Sequence, residues 1–485
     1  MSSLPLPNVI LITADQFRAD CLACEGRNPV IETPNLDQLA AEGARFCHAY
    51  SAVPTCMPAR AAILTGMDQW NHGRLMSAGS DFLKFPTTLP EELTRAGYHT
   101  GVIGHMGQSP ARALYGFSQG TISADYEKWL ELHSGGLYSY RGHGISPNSW
   151  VARPSNLPEH LHITYWATSE AIRFIERRDP TRPFFLWLSY IRPHTPFDPP
   201  AEYFHMYLNR PDLPEPVIGD WADDFARRVD DVDAPRTRLK PEEIRRARAG
   251  YYGNITFLDH QLGRLFLEYR RMQPRSYANT LVIFTTDHGD MLGDHYHWRK
   301  SYAYEGSARI PFVIRWPKSW NIQTGQVRTE PIELRDVMPT ILDGAGCEIP
   351  ESVDGTSLWP LLRDETTEWR EFIQGEYTHC YTRETGMQYV TDGREKYIWF
   401  HHTGEEQFFD LQSDPYESKN LATDPAVADR MALWRNRLAE INERRGDPRG
   451  QGGRLVPQLD SDAPRLSPNY ARWKEAGEKW LSRVQ

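Results

Sequence analysis

Apolar residues run without alternation at three places in the chain, residues 8–14, 183–190 and 280–286. A run with no polar face suits a strand buried on both sides, as at the centre of a parallel sheet. Residues 98–104 and 310–314 read the same way at shorter length. Between these runs the apolar spacing lengthens to the helical period. It predicts helices over 33–40, 87–96, 164–178 and 333–345, the second stopped by Gly97. Residues 240–271 read as a long helix or a pair interrupted near Gly250. Strand and helix alternate throughout, which predicts an α/β fold: a large, mostly parallel sheet sandwiched by helices.

The rhythm changes near residue 372. Residues 388–391, 396–401 and 407–411 are short strands with turns such as Asp392-Gly393 between them, and a helix is expected over 426–444. This predicts a small antiparallel sheet packed with one helix. Residues 446–468 read as an extended arm, and 469–484 as a last helix with Trp473 and Trp480 on one face. The division expected is 1–370, 371–445 and 446–485. Residues 108–160 and 198–240 show no clear period. They are expected to be irregular, to cover the site and to carry substrate contacts.

A formal charge of −10 over 485 residues gives no basic excess for nucleic acid or an anionic membrane. No apolar stretch is long enough to span a bilayer, and the start of the chain lacks a basic leader, so a cytoplasmic protein is expected. Six cysteines do not make a disulfide framework, and Cys21-Leu22-Ala23-Cys24 reads as two incidental thiols.

Two of the apolar strands end in metal-capable pairs, Asp15-Gln16 and Asp287-His288. In a parallel sheet both ends lie on one edge, where such sheets place ligands. Carboxylate and amide oxygens with one imidazole make a mostly oxygen site for one divalent cation. Cys56 lies in a turn that feeds a short helix, with Pro58 at the first helical position and Gly66 as the stop. The free N–H groups and the helix dipole there favour an anion and should lower a thiol pKa. Cys56 is therefore a nucleophile candidate.

The spacing Cys56-x-Pro58-x-Arg60 resembles the maturation signature of the type I sulfatases of the alkaline phosphatase superfamily. The resemblance implies that Cys56 is oxidised to formylglycine by a formylglycine-generating enzyme, that its hydrated aldehyde attacks, and that Arg60 holds it. It places Asp15, Gln16, Asp287 and His288 at the family's metal ligands, with residue 56 as a further one. Calcium is expected first; Gln16 and His288 replace the acid and amide more usual in calcium-binding sulfatases and are closer to the choline-sulfatase and phosphonate-hydrolase branches, which brings in manganese or magnesium next. His194, in Pro193-His194-Thr195-Pro196, matches the histidine near the leaving group, and Lys300 the lysine that binds sulfate and the leaving oxygen. Phe409-Asp410-Leu411, Asp414-Pro415 and Asn420-Leu421 resemble the family's C-terminal subdomain.

One element departs from the pattern. Where the family has Gly-Lys-x-His, this chain has Gly104-His105-Met106-Gly107. His105 remains a candidate catalytic donor, and replacing His105 by Lys together with Gly107 by His is expected to raise sulfatase activity. The expected activity is hydrolysis of a small-molecule or carbohydrate sulfate monoester. The alternatives are a phosphonate monoester or phosphodiester hydrolase on the same site, or a catalytically silent ester-binding protein. A homo-oligomer formed through the C-terminal arm is also expected.

Overall fold

A computed structural model describes residues 6–222, 228–365, 368–379, 381–459 and 465–484. Its central sheet has eight strands: β1 (Asn8–Ala14), β2 (Ala44–Phe46), β3 (His99–Gly104), β4 (Gln119–Ile122), β5 (Phe184–Tyr190), β6 (Thr280–Thr285), β7 (Phe312–Arg315) and β8 (Gln326–Arg328). Their order is β4-β3-β5-β1-β6-β7-β2-β8, and β7 alone runs against its neighbours. β1 pairs in parallel with β5 on one side and β6 on the other, with Thr13 opposite Ser189 and Thr285. The carboxyl ends of β1, β3, β5 and β6 therefore share one edge.

The unbroken apolar run of β1 has a packing cause. Ile10, Ile12 and Ala14 enter one core with helices α3 (Ile163–Arg177) and α4 (Pro241–Met272). Val9 and Leu11 enter a second core on the opposite face, with Ile63 and Leu64 of α2 (Cys56–Thr65). Each buried aliphatic side chain contributes about 1.5–3 kcal/mol, and the strand's two buried polar residues, Asn8 and Thr13, are hydrogen-bonded to Ser276 and Ser189. α1 (Pro34–Ala41) lies on the α4 side.

Two expectations need correction. α4 is one unbroken helix through Gly250. A Cβ on Gly250 would lie 2.7 Å from the carbonyl oxygen of Phe197, so this glycine makes room for a crossing chain and does not stop the helix. Residues 108–160 are also not wholly irregular, since they hold edge strand β4 and a helix at Ser123–His133. β4 is mostly solvent-facing, so it carries no apolar run to announce it.

The second sheet is antiparallel, in the order β9 (Ile373–Tyr377), β10 (Met387–Thr391), β11 (Glu395–Phe400) and β12 (Glu406–Asp410). Alternation sets its two faces. Val390, Tyr397 and Phe408 pack against Trp434 and Leu438 of α5 (Ala428–Arg444). Tyr389, Ile398 and Phe409 pack against Tyr50, Val53, Tyr302 and Tyr304, which flank the residues of interest. The arm contains a short hairpin, Gly450–Gln451 with Arg454–Leu455. The last helix, α6 (Pro468–Val484), docks on its own chain: Trp473 is buried and donates to the carbonyl of Asn71 at 2.8 Å, whereas Trp480 is 47% exposed. No helix among the described residues is long and apolar enough to cross a membrane.

Candidate active site

The common strand edge gathers the sequence-predicted residues. Asp15 and Gln16 follow β1, His105 follows β3, His194 follows β5, and Asp287 and His288 follow β6. α2 brings Cys56 and Arg60 to the same place. Ligand atoms of Asp15, Cys56, Asp287 and His288 all lie within 4.8 Å of one another. Cys56 Sγ is 3.3 Å from His288 Nε2 and 3.7 Å from Asp15 Oδ1.

Cys56 is the first residue of α2, with Thr55 as its N-cap, so Pro58 sits two residues deeper than the sequence suggests. Gly66 ends the helix at φ +66° as expected. The predicted drop in thiol pKa is overturned. Burial, reinforced by Asp15 and opposed by Lys300, pushes Cys56 up to about 12. Desolvation of the thiolate outweighs the helix N-terminus.

Arg60 ties the cluster together and has no exposed surface. Its Nε donates to Asp287 Oδ2 at 2.9 Å and its Nη2 lies 3.3 Å from Asp15 Oδ2. Its Nη1 donates to the His105 carbonyl and to Ser189 Oγ, both at 2.7 Å. Burial alone would raise the Asp15 pKa, but His194, Lys300, Arg60 and His288 together hold that carboxyl well below the usual range.

The other wall carries Lys300. Its ammonium lies 3.1 Å from Cys56 Sγ and 2.9 Å from His194 Nε2. His194 Nδ1 donates to the Thr195 carbonyl at 2.9 Å, which leaves Nε2 as the acceptor for Lys300. Burial and the Lys300 charge push His194 down to about 3, a neutral imidazole. His105 stands at the rim, its Nε2 3.7 Å from Asp15 Oδ2, and burial with Arg60 pushes it down to about 4.

The donors fit a divalent cation. His288 Nδ1 donates to the Gly289 carbonyl at 2.9 Å, so Nε2 presents a lone pair to the cluster. The Gln16 amide nitrogen donates to Asp290 Oδ2 at 2.5 Å, while its Oε1 is buried with no hydrogen-bond partner among the described residues. A buried amide oxygen left unpartnered is costly and is what a hard cation would satisfy.

Gly107 bears on the expectation for the altered element. Its φ is +66°, and a Cβ there would lie 2.2 Å from Arg60 Cδ. A side chain at 107 would therefore require a shift of Arg60, the residue that joins Asp15 to Asp287.

Asp290 and Ser189 were not found by reading the sequence. Asp290 is fully buried, orients Gln16 and accepts from the backbone N–H of Leu292 and Arg299. Ser189 links Thr13, Arg60 and the His105 carbonyl. Only their places, three residues after Asp287 and one before the end of β5, could have marked them. Both loop regions reach the site wall: Gln108 Nε2 donates to the Met57 carbonyl at 2.8 Å, and Asp233 O accepts from Arg299 Nη2 at 2.5 Å.

Residues 7–347 match the Sulfatase family, and residues 293–444 match the C-terminal region described as N-sulphoglucosamine sulphohydrolase, C-terminal. An arylsulfatase of Clostridium perfringens is 41% identical over 93% of this chain and 97% of its own. The multifunctional alkaline phosphatase superfamily protein PehA of Trinickia caryophylli is 32% identical over 87% of this chain and 92% of its own. The crystal structure of a phosphonate monoester hydrolase of Agrobacterium radiobacter superposes with a TM-score of 0.77 at 26% identity, covering 90% of this chain and 96% of that one.

Proposed function

The chain belongs to the sulfatase family, and from that premise we propose that it hydrolyses sulfate monoesters with residue 56 as nucleophile. The observation that carries the reading is the placement of Lys300 Nζ between Cys56 Sγ and His194 Nε2, at 3.1 and 2.9 Å. Cys56 takes part as formylglycine, made by a formylglycine-generating enzyme. Asp15, Gln16, Asp287 and His288 hold one divalent cation, calcium ahead of manganese or magnesium. When bound, that cation supplies positive charge for the oxygens of the sulfuryl group.

The chain's own groups do the rest. Arg60 fixes Asp15 and Asp287 relative to the start of α2. Lys300 places an ammonium where the leaving oxygen gains charge as its bond to sulfur breaks. Neutral His194 orients Lys300 and provides a proton-accepting nitrogen at Nε2. His105, at the rim, is a hydrogen-bond donor to a substrate oxygen.

Substrates of this reading are aryl or carbohydrate sulfates, supported by the C. perfringens arylsulfatase and by an N-acetylglucosamine-6-O-sulfatase of Bacteroides thetaiotaomicron that is 26% identical. A cytoplasmic location accords with five free cysteines among the described residues. Trp480, Leu481 and Val484, exposed at the end of α6, are the proposed contact for a homo-oligomer.

A second reading, phosphonate monoester hydrolysis, is favoured by the His105 and Gly107 departure and by the superposition on a phosphonate monoester hydrolase. Rates on matched aryl sulfate and aryl phosphonate monoesters separate the two, and a phosphonate preference of orders of magnitude overturns the first. Mass spectrometry of the peptide holding residue 56, after co-expression with a formylglycine-generating enzyme, tests both. Formylglycine is expected; an unmodified thiol leaves only the silent binding protein.

A further inference from the structure

Lys300 is presented by a backbone in a sparsely populated conformation. Arg299 and Ser301, its two neighbours, have φ of +68° and +76°. Residues with a Cβ enter that region at a cost, and keep it only where surrounding contacts over-determine it. On one side those contacts belong to the large sheet's edge. Arg299 N donates to Asp290 Oδ1 at 3.0 Å, Met291 N to Arg299 O at 2.7 Å, and Ser301 N to Pro54 O at 2.9 Å.

On the other side they come from the antiparallel sheet. Lys396, on β11, has no exposed surface. Its Nζ donates to Ala303 O at 2.7 Å, Glu305 Oε1 at 2.8 Å and Glu417 Oε1 at 2.8 Å. A lysine ammonium has three protons, and here each has an oxygen. Glu417 Oε2 also accepts from Glu305 N at 2.7 Å, so the pair grips this segment at backbone as well as side chain. The ammonium lies 5.7 Å from the centre of the Tyr50 ring and 5.8 Å from that of Tyr389. Tyr389 in turn donates to the Ser51 carbonyl, on the segment that leads into α2. Lys396 thus stands between the segment carrying Lys300 and the segment leading to Cys56.

We infer that Lys396 is a positioning residue for Lys300, fixing residues 301–305 so that the Lys300 ammonium stays between residue 56 and His194. The inference rests on the proposed role of Lys300 at the leaving oxygen. A buried lysine that served stability alone would need its two carboxylates. The bond to Ala303 O, three residues from Lys300, ties it to the site.

The test is the dependence of kcat/KM on leaving-group basicity across substituted phenyl sulfates, with the formylglycine-bearing enzyme. Lys300→Ala should steepen that dependence. Lys396→Met should steepen it in the same sense, with about tenfold loss on 4-nitrophenyl sulfate and about a hundredfold on phenyl sulfate. The pair Lys396→Met with Glu417→Gln removes the buried ammonium together with one of the two carboxyl groups that face it. It gives the same readout if the single variant does not fold. Lys396→Met added to Lys300→Ala should leave the slope at the Lys300→Ala value. A uniform loss across the series in the Lys396 variants overturns the positioning role while leaving that of Lys300 intact. An unchanged slope in Lys300→Ala overturns the Lys300 reading, and this inference with it.

Discussion

Arg60 and Gly107 are a pair at the residue scale. The guanidinium reaches two carboxylates, a hydroxyl and a carbonyl at once because position 107 has no Cβ to obstruct its Cδ. Gly97 is a useful control, since its φ is +93° but a Cβ there would meet nothing within 4 Å. Gly97→Ala should cost only the backbone strain, about 1 kcal/mol, whereas Gly107→Ala adds overpacking of about 1–3 kcal/mol. Thermal unfolding of the two variants checks this, and only Gly107→Ala should also lose most activity. Equal midpoints would mean that Arg60 shifts freely. The ligand candidates were legible at this scale because each follows an apolar strand. Asp290 was not, because it acts on Gln16, a contact made across 274 residues that leaves no trace in local spacing.

Among the elements, α1 shows how a correct boundary can have an unexpected cause. The apolar period predicts this helix over 33–40 and it runs over Pro34–Ala41, yet Thr33, at its N-cap, makes no side-chain cap bond. The free N–H groups of α1 go to Asp259 on α4: Asn35 N at 3.1 Å and Leu36 N at 2.8 Å, with Asn35 Nδ2 at 2.8 Å. Burial raises Asp259 to about 6 although these three donors oppose the shift. A carboxyl whose folded pKa lies above its unfolded value contributes stability that is fully present below about pH 4 and is lost as pH rises through about 6. Asp259→Asn, which cannot ionise, should therefore gain on the parent protein by up to about 3 kcal/mol between pH 4 and pH 7. Paired thermal melts across that range check the sign, and a constant difference would show that the donors cancel the burial. The strands were legible because burial on both faces writes itself as an apolar run. The continuity of α4 was not, because Gly250 signals a break in sequence and a close backbone crossing in space.

For the whole molecule, the parallel order of the large sheet delivers the ends of β1, β3, β5 and β6 to one edge, and the second sheet closes that edge from beside it. The first arrangement was legible from alternating strands and helices. The packing of the second sheet on the Lys300 segment was not, since it depends on tertiary contacts between Tyr389, Ile398 and Phe409 and residues 50–53 and 302–304. A cation bound by groups from both β1 and β6 should stabilise the folded state, by about 2.7 kcal/mol at a hundredfold excess over its dissociation constant. A chelator should therefore lower the melting midpoint and abolish activity, with calcium, manganese and magnesium added back singly to rank the ion. A midpoint indifferent to chelator would place the cation elsewhere or nowhere.

Asp15 and Asp287 face Arg60 and Lys300, two negative charges against two positive. The balance has a consequence in time. A cavity holding carboxylates alone would resist closing until an ion arrived, but this one is already neutral when the chain collapses around it. Folding and ion loading are then separate events in the life of each molecule, the first not waiting on the second. Protein refolded in chelator should regain its native circular dichroism first, and its activity only later, within the mixing time of added cation.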